Sequence, residues 1–158
     1  MKQFITISLM FFWFSAYSQE YRFEAIIKNA PQKEIYLADF YGDKNHLRDT
    51  VIPDDKGYIV FQLKESYYPG MYRVFLDKEV FFDFIYNKEN IKIQTDYDHL
   101  ADSLIVISSK ENKLYYEFLR AGNDYRRKFE LLGPVVNYYP QSDSFYFEIK
   151  DKYIAAQK

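Results

Sequence analysis

From residue 21 onward, apolar positions recur every second residue in short runs, and the runs recur about every ten residues. In 21–27 (YRFEAII), Tyr21, Phe23, Ala25 and Ile27 alternate with Arg22 and Glu24, as in a strand that buries one face. Comparable runs occupy 34–40 (EIYLADF), 47–52 (LRDTVI), 58–63 (YIVFQL), 71–76 (MYRVFL), 80–86 (VFFDFIY), 91–95 (IKIQT) and 103–107 (SLIVI). The segments between them are turn-forming. Pro31 in KNAPQK cannot continue a ladder, and PDDKG joins a fixed φ at Pro53 to the turn-prone Asp54 and Asp55 and the permissive Gly57. About eight strands at this spacing predict a mainly β domain, an antiparallel β-sandwich or barrel. The short connections favour antiparallel neighbours, because a parallel pair needs a long crossover. VFFDFIY is apolar on both faces, which calls for a cover on each side, from a second sheet or from the helix that follows.

At Ser108 the apolar period changes from two to about 3.6. Ser108 and Glu111 have the spacing of a capping box, in which the serine cap contributes about 1 kcal/mol. Beyond it Leu114, Tyr115, Phe118, Leu119, Tyr125, Phe129 and Leu132 form one helical stripe. Gly122 weakens the middle of that helix by about 1 kcal/mol relative to alanine. Gly133 and Pro134 predict its end. A second helix is predicted from Ser142 or Asp143 to the last residue, with no stop signal. The expected organisation is a leader at 1–19, an antiparallel β domain at 20–107, and a helical linker or hairpin at 108–158 that reads as truncated.

The leader changes the picture of where the chain resides. Lys2 precedes the apolar run 4–14, and small and polar residues follow at Ser15, Ala16, Ser18 and Gln19, the layout of a secretory signal peptide. The run is shorter than the roughly 20 apolar residues of a membrane span, so cleavage near Ser18 or Gln19 is expected rather than anchoring. The mature chain would be periplasmic or part of the cell envelope, with no stable membrane span. With 21 basic against 23 acidic residues and a net charge of -2, the full sequence carries no nucleic-acid footprint. There is no cysteine, so stability rests on a core rich in Tyr (17) and Phe (15) rather than on disulfides. A lipobox, a thiol nucleophile and a Cys-x-x-Cys centre are likewise excluded from this chain.

Little else in the sequence points to chemistry. The two histidines, His46 and His99, fall in turn-like stretches. Asp96, Asp98, His99 and Asp102 form the densest group of possible metal ligands, but the loop lacks the glycine and terminal glutamate of a calcium loop and reads as solvated. No Gly-x-Ser-x-Gly elbow is present. YGDKN and LLGPV lack the glycines and lysine of a phosphate loop. Asp77, Glu79 and Asp83 could supply paired carboxylates, although a turn explains the first two and a solvent-facing strand position the third. Tyr67, Tyr68, Tyr138 and Tyr139, in turn-like stretches, are candidates for a carbohydrate-binding platform. No catalytic, cofactor-binding or metal residue is assigned, and no cofactor is expected.

Several segments, taken in order, carry a resemblance. Asp49-Thr50-Val51 with Gly57-Tyr58-Ile59-Val60-Phe61, then Pro69-Gly70-Met71-Tyr72, then Ser108 to Asn112 leading into a helix, resemble the N-terminal domain of unknown function in thioredoxin-like (TlpA/ResA-type) thiol–disulfide oxidoreductases of Bacteroidota. The likeness covers about residues 20–120 and rests on structural motifs. One departure is that Ser108 stands where the family has glycine before its serine. The other is that the thioredoxin fold and its Cys-x-x-Cys are absent from this sequence. The resemblance implies a non-catalytic exported accessory domain that binds a protein partner, positions a redox domain, or self-associates. The alternative is a cell-envelope domain that binds carbohydrate or peptide.

Overall fold

The computed structural model describes residues 20–41 and 44–157, so the leader segment lies outside the described residues. Among the described residues, eight strands form two four-stranded sheets. The strands are β1 (Tyr21–Lys28), β2 (Ile35–Tyr41), β3 (Lys44–Val51), β4 (Tyr58–Leu63), β5 (Gly70–Phe75), β6 (Phe81–Tyr86), β7 (Ile91–Asp96) and β8 (Ile105–Ser108). Two helices follow, α2 (Lys110–Tyr138) and α3 (Ser144–Ala155), and a single turn, α1 (Leu100–Ser103), sits between β7 and β8. The strand orders are β4-β1-β7-β8 and β3-β2-β5-β6, with no closure into a barrel. Among the described residues no helix is long and apolar enough to cross a membrane.

The alternation in the sequence sets the inner faces. Phe23, Ala25 and Ile27 of β1, Ile59, Phe61 and Leu63 of β4, and Ile91 and Ile93 of β7 point inward from the first sheet. Tyr72 and Val74 of β5 and Phe82, Phe84 and Tyr86 of β6 point inward from the second. The Phe23 ring stacks on Phe84 across the two sheets at 4.3 Å between centroids, and Tyr72 adjoins Phe84 at 5.7 Å and Tyr86 at 5.8 Å. Aromatic burial therefore supplies the cohesion of a core that has no disulfide.

Two features of the sheets depart from the sequence pattern. All pairings are antiparallel except β1 with β7, which is parallel from Phe23↔Ile91 to Lys28↔Asp96. The short-connection rule governs sequential strands, whereas β2 to β6 all intervene here and provide a long crossover. β3 starts at Lys44, earlier than its apolar residues indicate, because it is an outer strand with almost every residue exposed.

The PDDKG turn folds as its residues dictate. Asp54 Oδ1 accepts from the amides of Lys56 (2.9 Å) and Tyr58 (2.8 Å), and Gly57 takes φ 73 while its carbonyl accepts from Ile27 N at 2.9 Å. A Cβ at Gly57 would lie 1.9 Å from Ile27 O, so only glycine fits.

The strand-to-helix seam differs in detail from the expected capping box. Ser108 still pairs with Lys92 in the β7–β8 ladder, so it cannot cap. The cap is Ser109, whose Oγ accepts from Asn112 N at 3.1 Å and donates to Glu89. The abrupt turn out of the strand puts Ser109 at φ 130, sparsely populated for a residue with a Cβ. Glu111 does not reach back to the cap. Its carboxylate accepts from Asn87 Nδ2 at 2.6 Å.

Gly133 and Pro134 do not end α2 either. The helix runs through Pro134 to Tyr138, where the Tyr139 amide donates to Val135 O at 3.0 Å. Beyond Pro140, Asp143 caps α3 by accepting from Phe145 N at 2.8 Å, as its position in the sequence predicts.

Candidate functional site

The first turns of α2 are fastened to the backbone of β6 by polar side chains. Asn112, with no exposed surface, accepts from Ile85 N through Oδ1 at 2.7 Å and donates from Nδ2 to Ile85 O at 2.7 Å. One turn later Tyr116 donates its hydroxyl to Asp83 O at 2.6 Å. Burial pushes the Tyr116 phenol well above its usual range, so it remains a donor throughout the physiological range. Arg120 reaches Leu104 O at 3.4 Å and Arg127 pairs with Asp102 at 3.5 Å, which extends the attachment along the helix. Asn112 and Tyr116 thus occupy the inner face that the apolar stripe was expected to hold. The stripe is split: Tyr115 and Leu119 stay on the inner side beside Tyr116, whereas Leu114 and Phe118 are turned outward, 69 % and 73 % exposed.

Further along α2 the same stripe is covered by the chain itself. Tyr139 meets Phe145 at 5.4 Å and Phe129 meets Tyr153 at 5.1 Å, so α3 folds back antiparallel on the distal half of α2. Lys128 and Leu132 share a shallow depression with Lys152, Ala155 and Ala156. The cover stops at that level. From Lys128 back toward Lys110, the face bearing Leu114, Phe118, Ala121 and Tyr125 is exposed.

The outer face of the second sheet carries an aromatic surface around one ion pair. Arg73 binds Asp83 through both ends of its fork, Nε to Oδ1 at 2.6 Å and Nη2 to Oδ2 at 2.8 Å. Its guanidinium lies 3.7 Å from the Phe81 ring centre and 4.7 Å from that of Phe40. The hydrogen bonds to Asp83 raise the Arg73 pKa further, so the guanidinium stays charged. At one end of the face a groove of about 690 Å³ is lined by Tyr36, Ile52, Phe75 and Leu76, with Lys33, Glu34, Asp77 and Lys78 at its rim. The rim groups bond one another. Lys33 pairs with Asp77, whose carboxyl is held below the usual range, and Tyr36 donates to Glu34 at 2.6 Å.

The candidate residues from the sequence are dispersed by the fold. Asp96 and Asp98 both accept from Asn29 Nδ2, at 3.2 and 3.0 Å, so the acidic loop closes on itself, and the amide of Asp98 with Asn29 lowers the Asp96 pKa. Among the described residues, no three His, Cys, Asp or Glu side chains are grouped to share an ion. Asp77 and Glu79 lie in the bend after β5, whereas Asp83 is engaged by Arg73.

The four tyrosines do not form a common platform. Tyr67 is only 8 % exposed, stacks on Tyr72 at 6.0 Å and donates to Arg48 O, so it belongs to the core. Tyr68 is exposed beside it, while Tyr138 and Tyr139 lie at the far end of α2. The groove residues Tyr36 and Phe75 were missed because each reads as one alternating strand position, and only the β2–β5 register Tyr36↔Phe75 makes them neighbours. A further polar cluster lies between β2 and β3, where Asp39 accepts from Arg48 at 2.6 Å with His46 Nδ1 at 3.8 Å from its other oxygen.

No family model, curated protein or solved structure matches this chain.

Proposed function

We propose that the chain is an exported, non-catalytic accessory domain of the kind that precedes the redox fold in thioredoxin-like oxidoreductases, and that it acts by docking through its helical pair. The observation that carries this reading is the outward stripe of α2. A helix fastened to the sandwich by Asn112 and Tyr116 presents Leu114 and Phe118 to solvent, where apolar side chains contribute nothing to its own fold. With no cysteine, any thiol chemistry would come from the molecule it assists. Interferometry of the exported chain against purified thioredoxin-fold oxidoreductases of the same cell envelope is expected to show micromolar association. No association with the folded chain would overturn the accessory role.

A second reading, ligand binding, is favoured by the groove at Tyr36 and Phe75. Its size is that of a small-ligand site, and an aromatic floor with a charged rim suits a sugar ring or a peptide. A glycan and peptide array is the direct test. Binding that survives Tyr36→Ala with Phe75→Ala would exclude the groove.

A further inference from the structure

Taking the docking role of α2 as its premise, we propose that the occupant of the exposed stripe is the α2 helix of a second copy of this chain, packed antiparallel about a two-fold axis near residues 119 and 120. On a helix of 3.6 residues per turn, Leu114, Phe118, Ala121 and Tyr125 share the side opposite Asn112 and Tyr116, so a partner there does not meet the sandwich that α2 is fastened to. In this register Phe118 of one copy lies over Ala121 and Gly122 of the other, and Leu114 lies against Tyr125. At the centre a large residue then faces small ones, as close helix packing requires, and the Leu114–Tyr125 pairs close the two ends.

Gly122 gives independent support. A Cβ built there meets no atom within 4 Å, so nothing in the fold of a single chain demands glycine at a mid-helix position where it weakens the helix. A ring approaching from a second copy provides the demand. The same register brings Lys113 of one copy within reach of Asp124 of the other, once on each side of the axis, where Asp124 with its own Lys128 at 2.9 Å supplies the acid between Lys113 and the facing Lys110.

The extent of the surface agrees as well. α3 covers α2 as far as Lys128, and the antiparallel partner covers the stretch from Lys128 back to Lys110, its own Lys110 meeting the level where α3 stops. The stripe is then closed along its length. So few large apolar side chains make a reversible dimer with a dissociation constant on the order of 10 μM rather than an obligate one.

Sedimentation velocity on the exported chain over roughly 1–100 μM, a range that brackets such a constant, is expected to show the mass rising from one chain to two. Phe118→Glu is expected to hold the chain monomeric over the same range, with the thermal midpoint that the natural chain has at about 1 μM, where it is monomeric, because the residue is exposed in the monomer. The natural chain has no thiol, so single introduced cysteines report the geometry without background. Ala121→Cys is expected to form a disulfide-linked dimer on mild oxidation, and Asn123→Cys, on the side toward the sandwich, to remain monomeric. A chain monomeric at every concentration, a Phe118→Glu variant that still dimerises, or cross-linking at 123 and not at 121 would each overturn the proposal. A monomer that still binds an oxidoreductase would remove the second copy alone, and a dimer that binds none would remove the accessory role alone.

Discussion

Asn112 shows how much one residue contributes when both ends of its amide are used. Asn112→Leu keeps the volume but leaves the N–H and C=O of Ile85 buried without partners, and should cost roughly 2–4 kcal/mol. Urea denaturation with an unchanged slope would report that loss, and a change under about 0.5 kcal/mol would show that water replaces the amide. The residue was legible only within the serine-x-x-asparagine of the resemblance. Local capping rules selected Ser108 and Glu111 because glutamate suits the third helical position, whereas Ile85, distant in sequence, decides the matter in the folded chain. Asp83 shows the same limit. Its place on an outer face follows from the alternation, but its partner Arg73 depends on the β5–β6 register. At the same scale, burial pushes the Tyr72 phenol up to about 12, against about 10 in an unfolded chain. Its contribution is present in full below about pH 10 and is lost as the pH rises from about 10 through about 12, because the unfolded phenol releases its proton first. Denaturation between pH 9 and 12 should show stability falling through that window, with a shallower fall in Tyr72→Phe.

At the scale of elements, the strands were the most legible part because each had to bury alternate residues. β4 has the bounds its sequence predicts, whereas β3 buries almost nothing and so gave no signal for its first residues. The α2 helix was legible as a helix but not as to which side faces inward. Its inner face carries Tyr115 and Leu119 of the apolar stripe but is centred on Asn112 and Tyr116, whose hydrogen bonds to β6 an apolar period does not register. Its end was misplaced for a related reason. Gly133 and Pro134 stop an isolated helix, but the contacts of Tyr139 and Phe129 with α3 carry α2 past them. Interior proline in a helix costs about 3 kcal/mol, so Pro134→Ala should strengthen the distal half of α2 by roughly 1–3 kcal/mol once relaxation around the proline is allowed for. Slower amide exchange over residues 131–139 would show it, and unchanged exchange would mean that the contacts with α3 already recover the loss.

For the whole molecule, Phe23 joins the two sheets into one domain through its contacts with Phe84 and Phe82, at the centre of a core drawn from both. Phe23→Ala should cost roughly 3–5 kcal/mol, a large share of the stability of a domain this size, and calorimetry should find its melting midpoint far lower or absent. The sandwich class followed from strand count and spacing, but the parallel β1–β7 pair did not, because spacing describes neighbours in sequence and this pair joins the two ends of the β region. The Asn112 clasp has a further consequence at this scale. β6 is an outermost strand, and its free backbone groups at Ile85 and Asp83 would otherwise accept any passing strand. By occupying them, Asn112 and Tyr116 act as a guard against strand-to-strand polymerisation. A chain whose α2 had come loose would therefore lose more than a helix, since it would expose a template on which other copies could stack into aggregates.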